Sequence, residues 1–211
     1  EVLDEAIIGV EKEEASLAQL ISAKETEIVV KQGDINNKAA AIAEYEADIK
    51  AQNEIIASLE AAVAEERKRI AEESGRKLTY DGGMFAFPAP SMTRISDEYG
   101  NRMHPILGVE QFHNGVDMAA PNGSPILAAY DGEVVAAAYS GSMGNYIMID
   151  HGDSLYTIYM HASALYVSKG DLVAKGQKIA AVGSTGRSTG PHLHFSVRKN
   201  GSYVSPWGYL G

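Results

Sequence analysis

Isoleucine recurs every seven residues through the first third of the chain, at Ile21, Ile28, Ile35, Ile42, Ile49, Ile56 and, after Val63, at Ile70. Ile7 falls on the same series and Glu14 interrupts it. A seven-residue apolar repeat marks a long helix that lays one stripe against a partner, typically as a left-handed coiled coil. A second line, three residues later, reads Val10, Leu17, Lys24, Lys31, Lys38, Tyr45, Gln52 and Leu59. Its polar middle would fill a simple parallel dimer poorly. A single solvated helix held by charge pairs such as Glu27–Lys31 is the alternative, but the regularity of the isoleucines favours the coiled coil. Gln32-Gly33-Asp34-Ile35-Asn36-Asn37 is poor helix, since Gly costs about 1 kcal/mol relative to Ala. It could turn a helical hairpin, with residues 1–32 folding back on 37–73. The isoleucine register crosses it without a phase slip, which favours one continuous helix.

Glu73-Ser74-Gly75 reads as the helix stop, residues 76–84 as a linker, and Phe85-Ala86-Phe87-Pro88-Ala89-Pro90 as the start of a second domain, because that run cannot be helical. From there the pattern changes to short strand-like runs at Gly132–Ala138, Asn145–Asp150, Leu155–His161, Lys178–Val182 and His192–Arg198, with Gly, Asn, Asp and Ser between them. Asn122-Gly123, His151-Gly152 and Asn200-Gly201 mark sharp turns. The expected architecture is therefore α+β: an acidic coiled coil over residues 1–75, a linker over 76–84, and a mostly antiparallel β domain over 85–211.

Charge sharpens that division. Residues 1–75 hold 18 acidic and 8 basic side chains, whereas residues 76–211 hold 10 of each. All seven prolines and every aromatic except Tyr45 lie after residue 75. A net charge of −10 with no basic stripe argues against nucleic acid as partner. No stretch approaches the 18 or more apolar residues of a membrane span, and no signal peptide opens the sequence, so it reads as a mature or truncated form. The chain has no cysteine, which is consistent with export but does not decide it.

The candidate chemistry is confined to three stretches: His113-Asn114-Gly115-Val116-Asp117, Tyr159-Met160-His161 and His192-Leu193-His194. Even spacing on a strand sends side chains to one face, so His192 and His194 project together, as do His113 and Asp117 if that stretch is extended. Two imidazoles and a carboxylate suit zinc, and three protein ligands leave a fourth tetrahedral position open, as catalytic sites do. An H-x-H or H-x-x-x-D alone is weak; having both, with a third histidine between them, is not. His104, before Pro105, and His151, in a turn, read as ordinary core or surface residues.

From about Phe85 onward the chain resembles the lysostaphin/LytM-type zinc metallopeptidases, which cut peptide bonds in bacterial peptidoglycan. The resemblance rests on His113-x-x-x-Asp117, Tyr159-Met160-His161, the run from Val167 to Gln177, and the long, specific run from Gly183 through Gly186, Arg187, Ser188, Gly190 and Pro191 to His192-Leu193-His194-Phe195. It implies one Zn2+ per chain held by His113, Asp117 and His194, with His161 and His192 as unliganded catalytic histidines. Some relatives have lost these residues and act only as activators; all five are kept here, which implies an active endopeptidase outside the cytoplasmic membrane, in contact with the wall.

Histidine titrates near working pH, which suits it to move the protons that amide hydrolysis requires. His192 is assigned to activate the water and His161 to orient it and stabilise the tetrahedral oxyanion, an order that could be exchanged. Tyr159, two residues from His161, is groove wall or core. Arg102 could bind a substrate carboxylate through its planar fork or form a structural salt bridge. The glycines at 183, 186 and 190 suit tight turns of positive φ or close approach of a peptide. Two other functions compete: a non-catalytic activator or scaffold acting through the coiled coil, and a biotinyl- or lipoyl-type carrier suggested by the lysine-glycine turn at 169–177, which leaves the histidines unexplained. The acidic helix is expected to self-associate or dock an envelope or division protein, and to restrain a hydrolase that could harm its own cell.

Overall fold

The structure, a computed structural model, describes residues 2–74, 78–103 and 110–211. Gly75, His104, and the side chains of Ile7, Val10 and Glu14 lie outside the described residues. The first element is one helix, α1 (Val2–Ser74), running without interruption through Gln32–Asn37. A helical hairpin is thereby excluded. Thirteen strands follow: β1 (Arg94–Asp97), β2 (Gly100–Met103), β3 (Glu110–His113), β4 (Val116–Ala119), β5 (Pro125–Leu127), β6 (Gly132–Ser140) and β7 (Gly144–Asp150). Then come β8 (Leu155–Ala162), β9 (Ala164–Leu165), β10 (Leu172–Val173), β11 (Lys178–Ala181), β12 (His192–Lys199) and β13 (Ser202–Val204), with a 3-10 turn at Pro206–Gly208. The five runs read from the sequence correspond to β6, β7, β8, β11 and β12. The short strands between them lacked enough alternating residues to be recognised.

The main sheet runs β1-β4-β12-β8-β7-β6-β10, with β13 also paired to β12. A three-stranded sheet β5-β11-β9 and the hairpin β2-β3 complete it, and every strand pair is antiparallel. Alternation gives the main sheet two buried faces. On one, Val116, Met118, Ile147, Ile149, Tyr159, Leu193, Phe195 and Val197 pack with Ile126, Ile179 and Ala180 of the small sheet. On the other, Tyr146, Met148, Tyr156, Ile158 and Met160 pack with Ile56.

That second face is covered by the helix. The compact unit containing the sheet spans Asp48–Gly211 and takes in the C-terminal part of α1. Ile56 is fully buried in this cluster, with Ile55, Leu59 and Val63 packed against it. Glu60 accepts two hydrogen bonds from the Arg198 guanidinium, at 2.7 and 2.9 Å. Arg67 donates to Asp150 and to Glu133, both at 2.9 Å. Asp48 pairs with Arg187 at 2.7 Å. The unit of residues 1–47 is helix whose apolar positions Leu17, Leu20, Ile21, Ile28 and Ile35 are each at least half exposed, with Lys24 and Lys31 both bonded to Glu27. No helix among the described residues is long and apolar enough to cross a membrane.

The connecting segment is laid onto the sheet unit. Tyr80 N–H donates to Asp153 at 3.1 Å, its ring meets those of Phe85 and Tyr130 edge-on, and Gly152, at φ +88, leaves no room for a Cβ beside Leu78. Gly123, Gly152 and Gly201 all adopt positive φ, as the turns require. Of the three glycines in the 183–190 run only Gly186 does; Gly183 is instead close to the Ser163 backbone, and Gly190 faces open space.

His151 is core, not surface, at 1% exposure. Its Nδ1–H donates to the Asp131 carbonyl at 2.8 Å, so Nε2 accepts from the Thr157 hydroxyl at 2.8 Å. Thr157 in turn accepts from Tyr159, whose oxygen accepts Ala129 N–H. Tyr159 is therefore core as well. Burial pushes His151 down to about 4.

Two predictions follow from this packing. Ile56→Ala should destabilise the sheet unit by about 2–4 kcal/mol, against less than about 0.5 kcal/mol for Ile28→Ala, as read in urea by fluorescence of the single tryptophan, Trp207. His151, held near 4 when folded against about 6.5 unfolded, lets only the unfolded chain take up its proton between those values. Stability should thus fall by up to roughly 3 kcal/mol as pH drops from 6.5 to 4, and urea midpoints of His151→Gln should lack that component.

Candidate active site

The site forms where three adjacent strands bring polar residues to the helix-bearing face of the main sheet. β12 lies between β4 and β8, with His194 opposite Asp117 on one side and Met160 on the other. His192 and His194 share a face, as their spacing requires. His113 and Asp117 reach the site differently. They do not lie on one extended strand: His113 ends β3, Asp117 sits in β4, and a bend at Asn114-Gly115 joins them. Gly115 is required by space, because a Cβ there would press on His194 Nε2, the Phe195 carbonyl and Ser196 Oγ at 2.6 Å each.

His113, Asp117 and His194 converge, and their ligand atoms all lie within 4.8 Å of one another. His194 Nδ1 is 2.8 Å from Asp117 Oδ1, His113 Nε2 is 3.2 Å from His194 Nδ1, and His113 Nε2 is 3.4 Å from Asp117 Oδ1. Metal–ligand lengths near 2.0–2.2 Å correspond to tetrahedral edges of roughly 3.3–3.6 Å, so two sides of the triangle are close to the size zinc needs and the third, His194 to Asp117, is shorter. Its electronics fit too. The His113 Nδ1–H donates to the Glu98 carbonyl at 2.8 Å, so the neutral ring offers only a lone pair from Nε2 to two further electron-rich atoms. His194 is braced at Nε2 by the Ser196 hydroxyl at 2.9 Å, the kind of outer support ligating imidazoles have. One hydrogen, on His194 Nδ1, is all the neutral cluster holds between three such atoms; a cation fits the corner better.

The electrostatics follow the same geometry. Burial works to raise Asp117, but the adjoining His113 and His194 imidazoles outweigh it and hold its carboxyl well below the usual carboxylate range. Burial opposes charge on His113 too, yet Asp117 raises it overall. His194 is lowered, first by burial, against the pull of Asp117.

The two remaining histidines edge the same corner. His192 Nε2 lies 3.8 Å from Asp117 Oδ1, and its Nδ1–H donates to the Gly190 carbonyl at 2.8 Å. The rings of His161 and His192 are 4.8 Å apart, and those of His161 and His194 are 6.2 Å apart. His161 Nδ1–H donates to the Thr185 carbonyl at 2.9 Å. Both rings therefore hold their hydrogen on Nδ1 and leave Nε2 unprotonated, that of His192 facing Asp117. Burial, then the neighbouring His194 and His192, push His161 down to about 4.

His161 also breaks the alternation of its strand. Tyr159 points into the core, so a regular β8 would send His161 there as well. Its φ of +65 turns the side chain back to the site, at a cost of roughly 1–2 kcal/mol for a non-glycine residue. A hydrogen bond from its N–H to the Met143 carbonyl, at 2.9 Å, holds this conformation. Tyr159 and His161 thus do not share a face, contrary to their spacing.

Arg102 is not among these residues; it pairs with Asp97 at 2.6 Å. Sequence reasoning missed Glu98, Ser196 and Thr185. Ser196 was legible, being two residues beyond His194 on the same strand face. Glu98 and Thr185 act through backbone carbonyls, which no side-chain pattern reveals.

Comparison with known proteins identifies what the chain is similar to. Residues 111–206 match peptidase family M23. The chain is 46% identical over 135 residues to the DD-carboxypeptidase/endopeptidase Mpg of Neisseria meningitidis serogroup B, covering 64% of this chain and 31% of that protein. It is 41% identical over 120 residues to the peptidoglycan DD-endopeptidase ShyA of Vibrio cholerae, covering 56% of this chain and 28% of that one. The chain thus spans about a third of the length of these curated relatives. Among solved structures, the catalytic domain of the prophage-encoded M23 protein EnpA from Enterococcus faecalis superposes with a TM-score of 0.53 at 36% identity, over 63% of this chain and 100% of that one.

The geometry separates two kinds of variant. His194→Ala should lose stoichiometric zinc in elemental analysis of the purified protein. His161→Ala should keep the metal while turnover falls about 10²-fold or more. Zinc retained in the first, or turnover retained in the second, would overturn the division.

Proposed function

Because this chain belongs to peptidase family M23, we propose that it is a zinc-dependent endopeptidase that hydrolyses peptide bonds of peptidoglycan stems or cross-bridges. The observation that carries this reading is the corner where His113 Nε2, Asp117 Oδ1 and His194 Nδ1 meet at 2.8–3.4 Å beside two further histidines. The substrate class is supported by the relatives, of which ShyA is named a peptidoglycan DD-endopeptidase. Action on that polymer places the protein at the cell envelope.

His113, Asp117 and His194 would hold the metal. When bound, zinc supplies a Lewis acid that polarises the scissile carbonyl and acidifies water. The other steps belong to the chain. His192, anchored at Nδ1 by Gly190, accepts a proton from the attacking water through Nε2. His161, kept neutral by its surroundings, orients that water by accepting its hydrogen bond at Nε2, and the proton taken up by His192 passes to the leaving amine as the C–N bond breaks. Each ring is fixed by one carbonyl, which selects the tautomer and aims Nε2 without reorganisation during the reaction. The helix α1 would serve as an assembly or regulatory arm, its exposed 17–35 stripe offering a surface for self-association or for an envelope protein.

The test is mass spectrometry of fragments released from purified sacculi of different cross-link chemistry. Cleavage at a peptide bond of one class is expected, abolished by 1,10-phenanthroline and restored by added zinc. A zinc-replete protein that releases nothing from any sacculus would instead support the non-catalytic activator.

A further inference from the structure

The docked helix and the candidate site share one face of the sheet, and an ion pair links the helix to the loop beside the site. Asp48 and Arg187 meet at 2.7 Å, each side chain about one-third exposed. Arg187 stands in the middle of the 183–191 loop that orients both catalytic histidines. Two residues before it, the Thr185 carbonyl takes the His161 Nδ1–H. The Thr185 hydroxyl donates to the Ala162 carbonyl at 2.8 Å and accepts Asn145 N–H at 3.0 Å. One residue after it, the Ser188 hydroxyl lies 3.3 Å from His192 Nδ1 and accepts Gly190 N–H. Gly186 lies between Thr185 and Arg187, at φ +70, packed so tightly on Gly144 that a Cβ would collide with its backbone. Arg187 N–H is bonded to the Ser142 carbonyl at 3.0 Å. There is little slack between the guanidinium and the carbonyl that aims His161.

A second route reaches the same histidine. Ile56 of the helix and Met143 lie in one apolar cluster, and the Met143 carbonyl holds His161 N–H at 2.9 Å. The helix therefore bears on His161 from both sides, on its backbone through Met143 and on its ring through Arg187 and Thr185.

We propose that Asp48 and Arg187 form a positioning pair, by which the docked part of α1 holds the 183–191 loop in the conformation that aims His161. The helix then supports the site where the sequence suggested restraint, because its contacts reach the groups that orient the histidines. This inference rests on the peptidase reading only for its kinetic readout. Partners that pull α1 from the sheet would, on this account, lower activity.

The test uses the full chain and a defined cross-linked muropeptide. Asp48→Asn and Arg187→Gln should each lower kcat roughly three- to five-fold, the scale of a partly exposed ion pair, with KM, zinc content and melting temperature unchanged. The exchanged pair Asp48→Arg/Arg187→Asp should recover most of the loss. The His161 Nδ1–H proton resonance, protected by Thr185, should exchange faster in the single variants and recover in the exchanged pair. That signal needs no turnover. If the unaltered protein cleaves nothing, the peptidase reading fails while positioning is still judged by the resonance. Wild-type kcat with an unchanged resonance in both single variants would overturn the proposal. So would a raised kcat in either, or an exchanged pair no better than the worse single variant.

Discussion

The register of β12 between β4 and β8 is the constraint on which the rest depends. With His194 opposite both Asp117 and Met160, one strand places two imidazoles beside a carboxylate and sets the site at the edge of an apolar face. A slip of one residue would send Leu193 and Phe195 to the polar face and bury His192 and His194 in the core. The slip is resisted from both sides, since Leu193, Phe195 and Val197 are completely buried on one face, and Arg198 is bonded to Glu60 on the other. The alternation that drives folding is the same alternation that brings the proposed ligands together. The geometry of the candidate site and core packing are thus one requirement.

Alternation cannot place the last histidine. Strict period two would leave either Tyr159 out of the core or His161 out of the site. The left-handed φ at His161 resolves this at one residue, and the Met143, Thr185 and Asn145 contacts hold the backbone there. Strain at a functional residue persists only where its surroundings over-determine it. The collision-close fit of Gly144 and Gly186 shows how tightly this corner is fixed, and why glycine is needed at both positions.

Much of this was legible before any coordinates. The five long strands, the turns at Gly123, Gly152 and Gly201, and the shared face of His192 and His194 lay in even spacings, while His113, Asp117 and His161 were singled out by the specific runs that hold them. What escaped has a common cause. The Glu98 and Thr185 carbonyls belong to the backbone, the φ of His161 is set by contacts from distant segments, and Asp48–Arg187 joins charges 139 residues apart. Each depends on long-range geometry, of which local pattern carries no trace. The identity of His151 as a core residue was hidden likewise, because its partners Asp131 and Thr157 satisfy it only in the fold.

The heptad stripe shows a subtler limit. A seven-residue period states that an apolar line winds slowly around a helix, drifting about 20° per turn pair relative to the ideal α-helix. It does not state what covers that line. A second helix can follow it, but so can a β-sheet, whose strands are themselves twisted. Here Ile56 is buried against Met148, Ile158 and Met160 of the sheet, while Ile21, Ile28 and Ile35 on the same line are open to solvent. One sequence period therefore serves two surroundings. The glutamates, aspartates and arginines that flank it discriminate between them, because Glu60 and Arg67 have partners on the sheet and Asp48 one in the 183–191 loop, whereas Lys24, Glu27 and Lys31 are satisfied within the helix. A repeat specifies a face, and the charges beside it select the partner.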